Sequence, residues 1–237
     1  MNREYHKTLA PSLGRVMEML VFGHAGLPVL AFSTSSGRFF DFENFGMIAA
    51  LEESIQAGKM QVFCVDSVDS ESWYNGRIVP RLRLARQLQY ERYILDEAVP
   101  AIRARNSDPG LFAMGCSFGG YHAVNLAMRH PQIFTGFLAL SGVFDLTQFL
   151  DGYYDDQCYF NLPMHYLANL TDATYVDRYR RNDRYILATG WDDRCLEQNQ
   201  RLSQILSAKT IPHQLHIWDS KQTHDWPTWQ RMAKQYL

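Results

Sequence analysis

Glycines surround a serine in the segment GCSFGG, residues 115–120, and this segment constrains the fold of the 237-residue chain more than any other. The apolar stretch Leu111–Gly115 leads directly into it, and Gly120–Arg129 follows with alanine and valine at helical spacing. The pattern predicts a buried strand, a sharp turn at Ser117 and a helix. Small residues suit the turn because the strand and the helix must approach each other closely there.

Short apolar stretches alternate with helical ones along the rest of the chain. The predicted strands are Arg15–Phe22, Pro28–Ser33, Gln61–Val65, Leu111–Gly115, Phe137–Ser141, Tyr185–Thr189 and Gln214–Trp218. The predicted helices are Phe45–Ala57, Leu82–Arg105 with a break at Pro100, Gly120–Arg129, Leu196–Ala208 and Trp226–Leu237. This alternation predicts one α/β domain over residues 1–237, with a mostly parallel central sheet and helices on both faces.

One stretch departs from this alternation, at about residues 145–183. It is polar, aromatic and rich in turns, and it lies between two predicted strands. We expect it to form an insertion over the strand ends, where open α/β sheets bind their ligands.

Composition and charge exclude several classes of protein. A net charge of −2 without a charged block argues against nucleic-acid binding, and the longest apolar runs are too short to cross a membrane. The N-terminus is polar and has no apolar signal core. The four cysteines (Cys64, Cys116, Cys158 and Cys195) are widely spaced, which favours reduced thiols. We therefore expect a cytoplasmic protein, with its oligomeric state, a homo-oligomer included, left open.

Ser117 is the candidate nucleophile, because the turn lifts its hydroxyl above the sheet at a helix N-terminus that favours developing negative charge. The alternative is that Ser117 only caps the helix. A serine hydroxyl needs a base to take its proton. Where this turn occurs, an acid and then a histidine follow on loops after the last strands. His224 alone among the eight histidines follows the last predicted strand and is the candidate base.

The acid that would orient His224 is less sharply defined by the residues themselves. The strand Tyr185–Thr189 ends in Gly-Trp-Asp-Asp, so Asp192 and Asp193 are both candidates, and Glu197 is a third. The aspartate that is not used would cap the following helix.

Two backbone amides are candidates for stabilising an oxyanion. One belongs to Phe118, directly after the serine, and the other to Ser35 in the loop after the strand Pro28–Ser33, with Thr34 and Ser36 as neighbours. Aromatic side chains near the predicted strand ends are candidates for contact with substrate. They are Phe39, Trp73, Tyr74, Tyr154 and Tyr159.

Taken together, these segments resemble the putative-esterase family of α/β-hydrolases, which includes esterase D, feruloyl esterases, enterochelin esterases and mycolyltransferases. The resemblance covers most of the chain and rests on HAGLPVLAF, GCSFGGYHAVNLAMRHP, LSGVFD, ATGWDD and THDWPTW. It implies an α/β-hydrolase fold and a triad of Ser117, Asp193 and His224, since relatives commonly carry the acid in a Gly-x-x-Asp pattern. It also implies oxyanion donors at Ser35 and Phe118, although relatives often have a Gly-Leu pair where this chain has Thr-Ser.

The expected function is hydrolysis of a small-molecule carboxylic ester through an acyl-enzyme, with no metal or organic cofactor. One alternative is acyl transfer with the same three residues and a different acceptor. A second is a non-catalytic binding or scaffold protein built on a hydrolase fold, against which the complete serine, aspartate and histidine set argues.

Overall fold

A computed structural model describes residues 1–182, 184–219 and 223–237, and its strands form a single sheet. The strands are β1 (Arg3–Ala10), β2 (Arg15–Phe22), β3 (Leu27–Phe32), β4 (Met60–Val65), β5 (Phe112–Cys116), β6 (Gly136–Leu140), β7 (Tyr185–Gly190) and β8 (Gln214–Trp218). Their order across the sheet is β1-β2-β4-β3-β5-β6-β7-β8. From β4 to β8 neighbouring strands are parallel, whereas β2 is antiparallel to both β1 and β4. The predicted, mostly parallel sheet is confirmed.

Eleven α-helices are described, many of them short. They are α1 (Asp41–Asn44), α2 (Met47–Ala50), α3 (Glu52–Gln56), α4 (Pro80–Tyr93), α5 (Val99–Arg103), α6 (Phe118–Arg129), α7 (Asp156–Phe160), α8 (Pro163–Tyr166), α9 (Ala173–Arg180), α10 (Leu196–Ala208) and α11 (Trp226–Tyr236). A π-helical turn, Ile94–Ala98, joins α4 to α5, and a 3₁₀ turn spans Thr147–Phe149. In the described ranges, none of these helices combines the length and the apolar character needed to span a membrane.

Side chains alternate across the sheet, so each face has its own hydrophobic core. On β3, Leu30 and Phe32 belong to one core, which α4, α5, α6 and α10 cover. Val29 and Ala31 belong to the opposite core, covered by α1, α2, α3 and α11. This period of two residues buries the central strands on both sides, which explains their nearly continuous apolar sequences.

The structure departs from the sequence-based element boundaries where local pattern was weak. Strand β1 was not predicted, because it is an edge strand whose polar side chains are largely exposed. The predicted break at Pro100 occurs as the π-helical turn just before it, which accommodates a residue without an amide hydrogen. The predicted helix Phe45–Ala57 is divided at Leu51 into α2 and α3.

The segment predicted as an insertion, residues 145–183, divides into two parts. Its last residue, 183, lies outside the described residues. Its first part packs Leu146 and Leu150 against Phe118 and Tyr121 on the first half of α6. Its second part, including Tyr179, lines a separate cavity of about 520 Å³ at the C-terminal end of α6. Because α6 has 12 residues, it is about 18 Å long, so the second part lies at the other end of α6 from Ser117. That the segment covers an active site stays a prediction.

Gly119 sets how closely α6 approaches the end of β3. A Cβ atom at this position would lie 2.1 Å from the carbonyl oxygen of Ser33 and 2.2 Å from that of Phe32. Both obstacles are backbone atoms of a central strand end, so they cannot rotate away.

We expect Gly119→Ala to destabilise the fold by about 3 kcal/mol, because α6 must move off the sheet. The free energy of unfolding from urea titration measures this. Gly76→Ala is the matched control, since its Cβ would have no neighbour within 4 Å. Equal stability of the two variants would contradict the proposed close packing.

Candidate active site

Ser117 occupies the sharp turn between β5 and α6. Its φ of 56° and ψ of −119° are unusual for a residue with a side chain. The backbone holds this conformation, because the Ser117 amide donates to the carbonyl of Leu140 at 2.8 Å. The Ser117 carbonyl in turn accepts from the amides of Gly120 at 3.0 Å and Val143 at 3.2 Å. Strain of this kind is typical of functional turns, where surrounding contacts maintain it.

Three side chains from separate parts of the chain form one line of hydrogen bonds. Ser117 Oγ lies 2.8 Å from His224 Nε2, and His224 Nδ1 lies 3.0 Å from Asp193 Oδ1. The His224 side chain is 12% exposed to solvent, whereas the Asp193 side chain is fully buried. The ring of Trp229 meets the imidazole edge to face, with centroids 5.0 Å apart, and so limits its rotation.

Of the three candidate acids, Asp193 is the one that reaches His224. Asp192 and Glu197 are both exposed. Asp193 Oδ1 accepts from the amide of Cys195 at 2.7 Å, and its Oδ2 accepts from the hydroxyl of Ser141 at 2.5 Å. Burial by itself would raise the pKa of Asp193, but the hydrogen bonds from His224, Ser141 and the Cys195 amide outweigh it and lower the pKa. The carboxylate is therefore held ionised and oriented.

Ser141 supports this carboxylate, and the sequence analysis did not identify it as a site residue. It directly follows β6, has a φ of 50°, and accepts from Trp229 Nε1 at 2.9 Å while donating to Asp193. Its hydroxyl thus joins the end of β6 to α11 as well as to the acid. A signal existed, since a serine just after a parallel strand lies at the same sheet edge as Ser117.

The amides of Phe118 and Ser35 lie on the two elements that the Gly119 contact brings together. In the described part of the chain, neither amide donates to a protein acceptor. The neighbouring amide of Ser36, whose φ is 54°, donates to Asp69 Oδ2 at 3.1 Å. Asp69 Oδ1 lies 2.8 Å from Nε2 of His122, which is one turn into α6. The buried Asp69–His122 pair therefore ties the Ser35 loop to α6.

An open cleft of about 340 Å³ gives access to Ser117. Its lining residues are Thr34, Ser35, Ser117, Arg194, His224, Asp225, Trp226 and Trp229. Trp226 is stacked on Phe45, with centroids 5.1 Å apart, which makes one wall aromatic. The sequence interpretation missed Arg194, Trp226 and Trp229 as cleft residues, although each is within five positions of Asp193 or His224.

None of the five aromatic residues predicted to contact substrate is among the described residues that line the cleft. Tyr74 is at the cleft edge, where its hydroxyl is 2.8 Å from Ser35 Oγ. Trp73 is buried in the cluster under Phe118, and Phe39 is buried against Tyr5 and Phe40. Tyr154 pairs with His165, and Tyr159 lines the cavity at the far end of α6.

Asp193, Cys195 and His224 are also close enough together to be considered as metal ligands. Burial raises the pKa of the Cys195 thiol to about 12, whereas a metal requires the thiolate. The facing oxygen atoms and nitrogen of Asp193 and His224 already bond to each other. The chemistry of these groups therefore favours a hydrogen-bonded assembly over a metal site.

The sequence carries a family signature over nearly its whole length. The family model described as "Putative esterase" matches residues 12–233. The chain belongs to this esterase family. Membership confirms the predicted resemblance and makes the protein a carboxylic ester hydrolase. No curated protein matches the sequence.

Solved esterases share the fold at low sequence identity. A ferulic acid esterase is 16% identical, with a TM-score of 0.79 over 99% of this chain and 95% of that one. S-formylglutathione hydrolase (FrmB) from Staphylococcus aureus is 18% identical, with a TM-score of 0.66 over 99% and 94% of the chains. MPT51 (FbpC1) from Mycobacterium tuberculosis is 15% identical, with a TM-score of 0.73 over 99% and 96%. These likenesses confirm the α/β-hydrolase fold.

The lowered pKa of Asp193 predicts a pH-dependent contribution to stability. Because the pKa is lower in the folded than in the unfolded protein, this stabilisation is present above about pH 4 and is lost as pH falls through the folded value. We expect Asp193→Asn to lower the free energy of unfolding by about 1–3 kcal/mol at pH 7, with a smaller difference from wild type at pH 3.

Denaturant titrations of Asp193→Asn and wild type at both pH values measure this difference. The exposed neighbour supplies the control, and Asp192→Asn should change stability little at either pH. If the difference in free energy of unfolding between Asp193→Asn and wild type were the same at pH 3 and pH 7, the ionised Asp193 carboxylate would not be the cause of that difference.

Proposed function

We propose that this esterase hydrolyses carboxylic esters through an acyl-enzyme on Ser117, with His224 as the general base and acid and Asp193 as the residue that orients His224. The observation that carries the proposal is the unbroken line of hydrogen bonds from Ser117 Oγ through both imidazole nitrogens to Asp193. In this arrangement, neutral His224 donates Nδ1–H to Asp193 and accepts the Ser117 proton at Nε2.

In the first half of the reaction, Ser117 Oγ attacks the ester carbonyl carbon while its proton passes to His224 Nε2. The carbonyl π electrons move to the oxygen, and the tetrahedral intermediate forms. When this intermediate collapses, the carbon–oxygen bond to the alcohol breaks and His224 donates its proton to the leaving oxygen. The acyl group remains bonded to Ser117.

In the second half, water replaces the alcohol. His224 takes a proton from the water as it attacks the acyl carbon, and a second tetrahedral intermediate forms. Its collapse breaks the bond to Ser117 Oγ, which recovers the proton from His224. The products are the carboxylic acid and the free serine, so no cofactor is consumed.

The amides of Phe118 and Ser35 are proposed to stabilise the negative oxygen in both intermediates. Their freedom from protein acceptors in the described residues supports this role, as does the position of Phe118 at a helix N-terminus. Asp69 is proposed as a positioning residue, because it holds the amide next to Ser35 and pairs with His122 on α6.

Acyl transfer is the second candidate function, because the same residues would serve it. The open cleft favours it in one respect, since a second alcohol could reach the acyl-enzyme as readily as water. Product analysis with and without added alcohols separates the two, because transfer predicts a new ester in place of the free acid.

The first test is Ser117→Ala. We expect turnover of p-nitrophenyl acetate to fall by about 10⁴-fold or more, and labelling by a fluorophosphonate probe to be lost, because the nucleophile is absent. Ser54→Ala, which removes a hydroxyl outside the cleft, is the matched control and should keep both properties. Labelling or full activity in folded Ser117→Ala would refute the proposal. A folded wild type that resisted the probe would favour the non-catalytic alternative.

The second test concerns Asp69. Asp69→Asn should lower kcat by roughly tenfold or more and change KM less, because the oxyanion develops only after the ester has bound. Asp96→Asn, an exposed substitution on the π-helical turn, controls for the change of charge. If Asp69→Asn lowered thermal stability while kcat stayed at the wild-type value, Asp69 would have a structural role only.

A further inference from the structure

Arg194 brings a positive charge to the mouth of the cleft. Among the described residues that line the cleft, it is the one lysine or arginine, and it is exposed. It shares this cleft with Ser117, the proposed nucleophile, so a group bound to its guanidinium would lie beside the reacting ester. The proposed mechanism assigns no role to this charge.

The charge of Arg194 has no carboxylate partner in the described ranges, where the side chain forms no ion pair. Its guanidinium is within hydrogen-bonding reach of the Cys195 thiol and interacts electrostatically with the Tyr74 phenol. Burial raises the pKa of Cys195 to about 12 and also raises the pKa of Tyr74. Both groups are therefore neutral at pH 7, and neither balances the guanidinium.

The carboxylates of Asp193 and Asp225 already have hydrogen-bond partners, and the exposed Asp192 and Glu197 form no ion pair with Arg194 in the described residues. Asp193 is buried and bonded to His224, Ser141 and the amide of Cys195. Asp225 also lines the cleft, but its oxygens accept from the Thr223 hydroxyl at 2.6 Å and from the Thr228 amide at 3.1 Å, which caps α11. An anion supplied by a ligand would therefore meet a guanidinium whose charge no carboxylate of the described residues neutralises in an ion pair.

The backbone beside Arg194 is held in place. The amide of Asp193 donates to the Gly190 carbonyl at 3.2 Å, and the amide of Leu196 donates to the Asp193 carbonyl at 3.0 Å. Cys195, the next residue, is buried and bonded to the Asp193 carboxylate. The turn that carries the guanidinium is thus the same one that orients His224.

We propose that Arg194 makes this cleft selective for esters that carry a carboxylate, or another anionic group of similar geometry, close to the scissile bond. A guanidinium binds such a group with two parallel hydrogen bonds, which also fixes its orientation. The aromatic wall formed by Trp226 would contact the uncharged part of the same substrate. This inference rests on the proposed function, and it names the substrate class of that site.

Two pairs of esters distinguish where the anion lies. Mono-p-nitrophenyl glutarate against p-nitrophenyl valerate places the charge on the acyl part. A second pair, 4-acetoxybenzoate against 4-acetoxybenzamide, places it on the leaving group. In each pair the readout is the ratio of kcat/KM for the anionic ester to that for the neutral ester, which normalises for general damage to the site.

For at least one pair, Arg194→Gln should lower this ratio by about tenfold, mainly through KM, and Arg194→Glu should lower it further. Added salt should reduce the wild-type ratio, because the guanidinium is exposed. Arg92→Gln, an exposed arginine outside the cleft, makes the same change in net charge and should keep the wild-type ratio. Arg194→Lys should restore only part of it, since an ammonium cannot bind in the same bidentate way.

Ratios in both pairs that were the same in Arg194→Gln and wild type would overturn this inference and leave the proposed function standing, provided that both proteins hydrolyse the neutral esters. If the wild-type protein showed neither turnover of any of these esters nor labelling by the fluorophosphonate probe, the proposed function would instead be refuted. Calorimetric binding of glutarate to Ser117→Ala, compared with the Ser117→Ala/Arg194→Gln double variant, tests the anion contact without turnover. Equal affinity in the two would overturn the contact.

Discussion

The contact between Gly119 and the carbonyl oxygens at the end of β3 is the constraint on which the rest of the site depends. It brings the first turn of α6 against the loop that carries Ser35. The amides of Phe118 and Ser35, neither of which donates to an acceptor in the described residues, thus come from elements far apart in sequence. The same turn forces Ser117 into a left-handed conformation that its neighbours must maintain. The close packing of Gly119, the strained backbone of Ser117 and the placement of the two amides therefore depend on the same turn, and a change in one would alter the others.

A second set of interactions extends this point along the C-terminal edge of the parallel strands. Ser141 after β6, Asp193 after β7 and Trp229 on α11 share buried hydrogen bonds, and His224 joins them to Ser117. Buried polar groups are costly unless each is satisfied, so such a network specifies one arrangement of the loops. The order of these strands is thus what places three separate loops around one serine.

The solved relatives share the fold with 14–18% identity, which indicates how little of the sequence the architecture requires. Alternating apolar residues on the strands and a few glycines suffice to build the sheet and the turn. The cleft edges include exposed residues such as Arg194, which lies on the loop between β7 and α10 and is not part of the core. Our proposal accordingly assigns the substrate preference of this chain to a residue of the cleft edge and not to the core.

Local pattern by itself determined the parallel sheet, the turn at Ser117 and the position of His224 after the last strand, because each depends on residues adjacent in the chain. Strand β1 was not predicted, since this edge strand is too exposed to show the alternation of apolar and polar residues that burial of one face produces. The residues alone left Asp192 and Asp193 open, because neighbouring residues differ in the direction of their side chains and not in their type. The family resemblance favoured Asp193, and the tertiary structure places its carboxylate against His224. The tertiary structure also decided which aromatic residues line the cleft. Tyr159 lines a cavity at the C-terminal end of α6, whereas Ser117 lies at its N-terminal end, and composition gives no information on this separation.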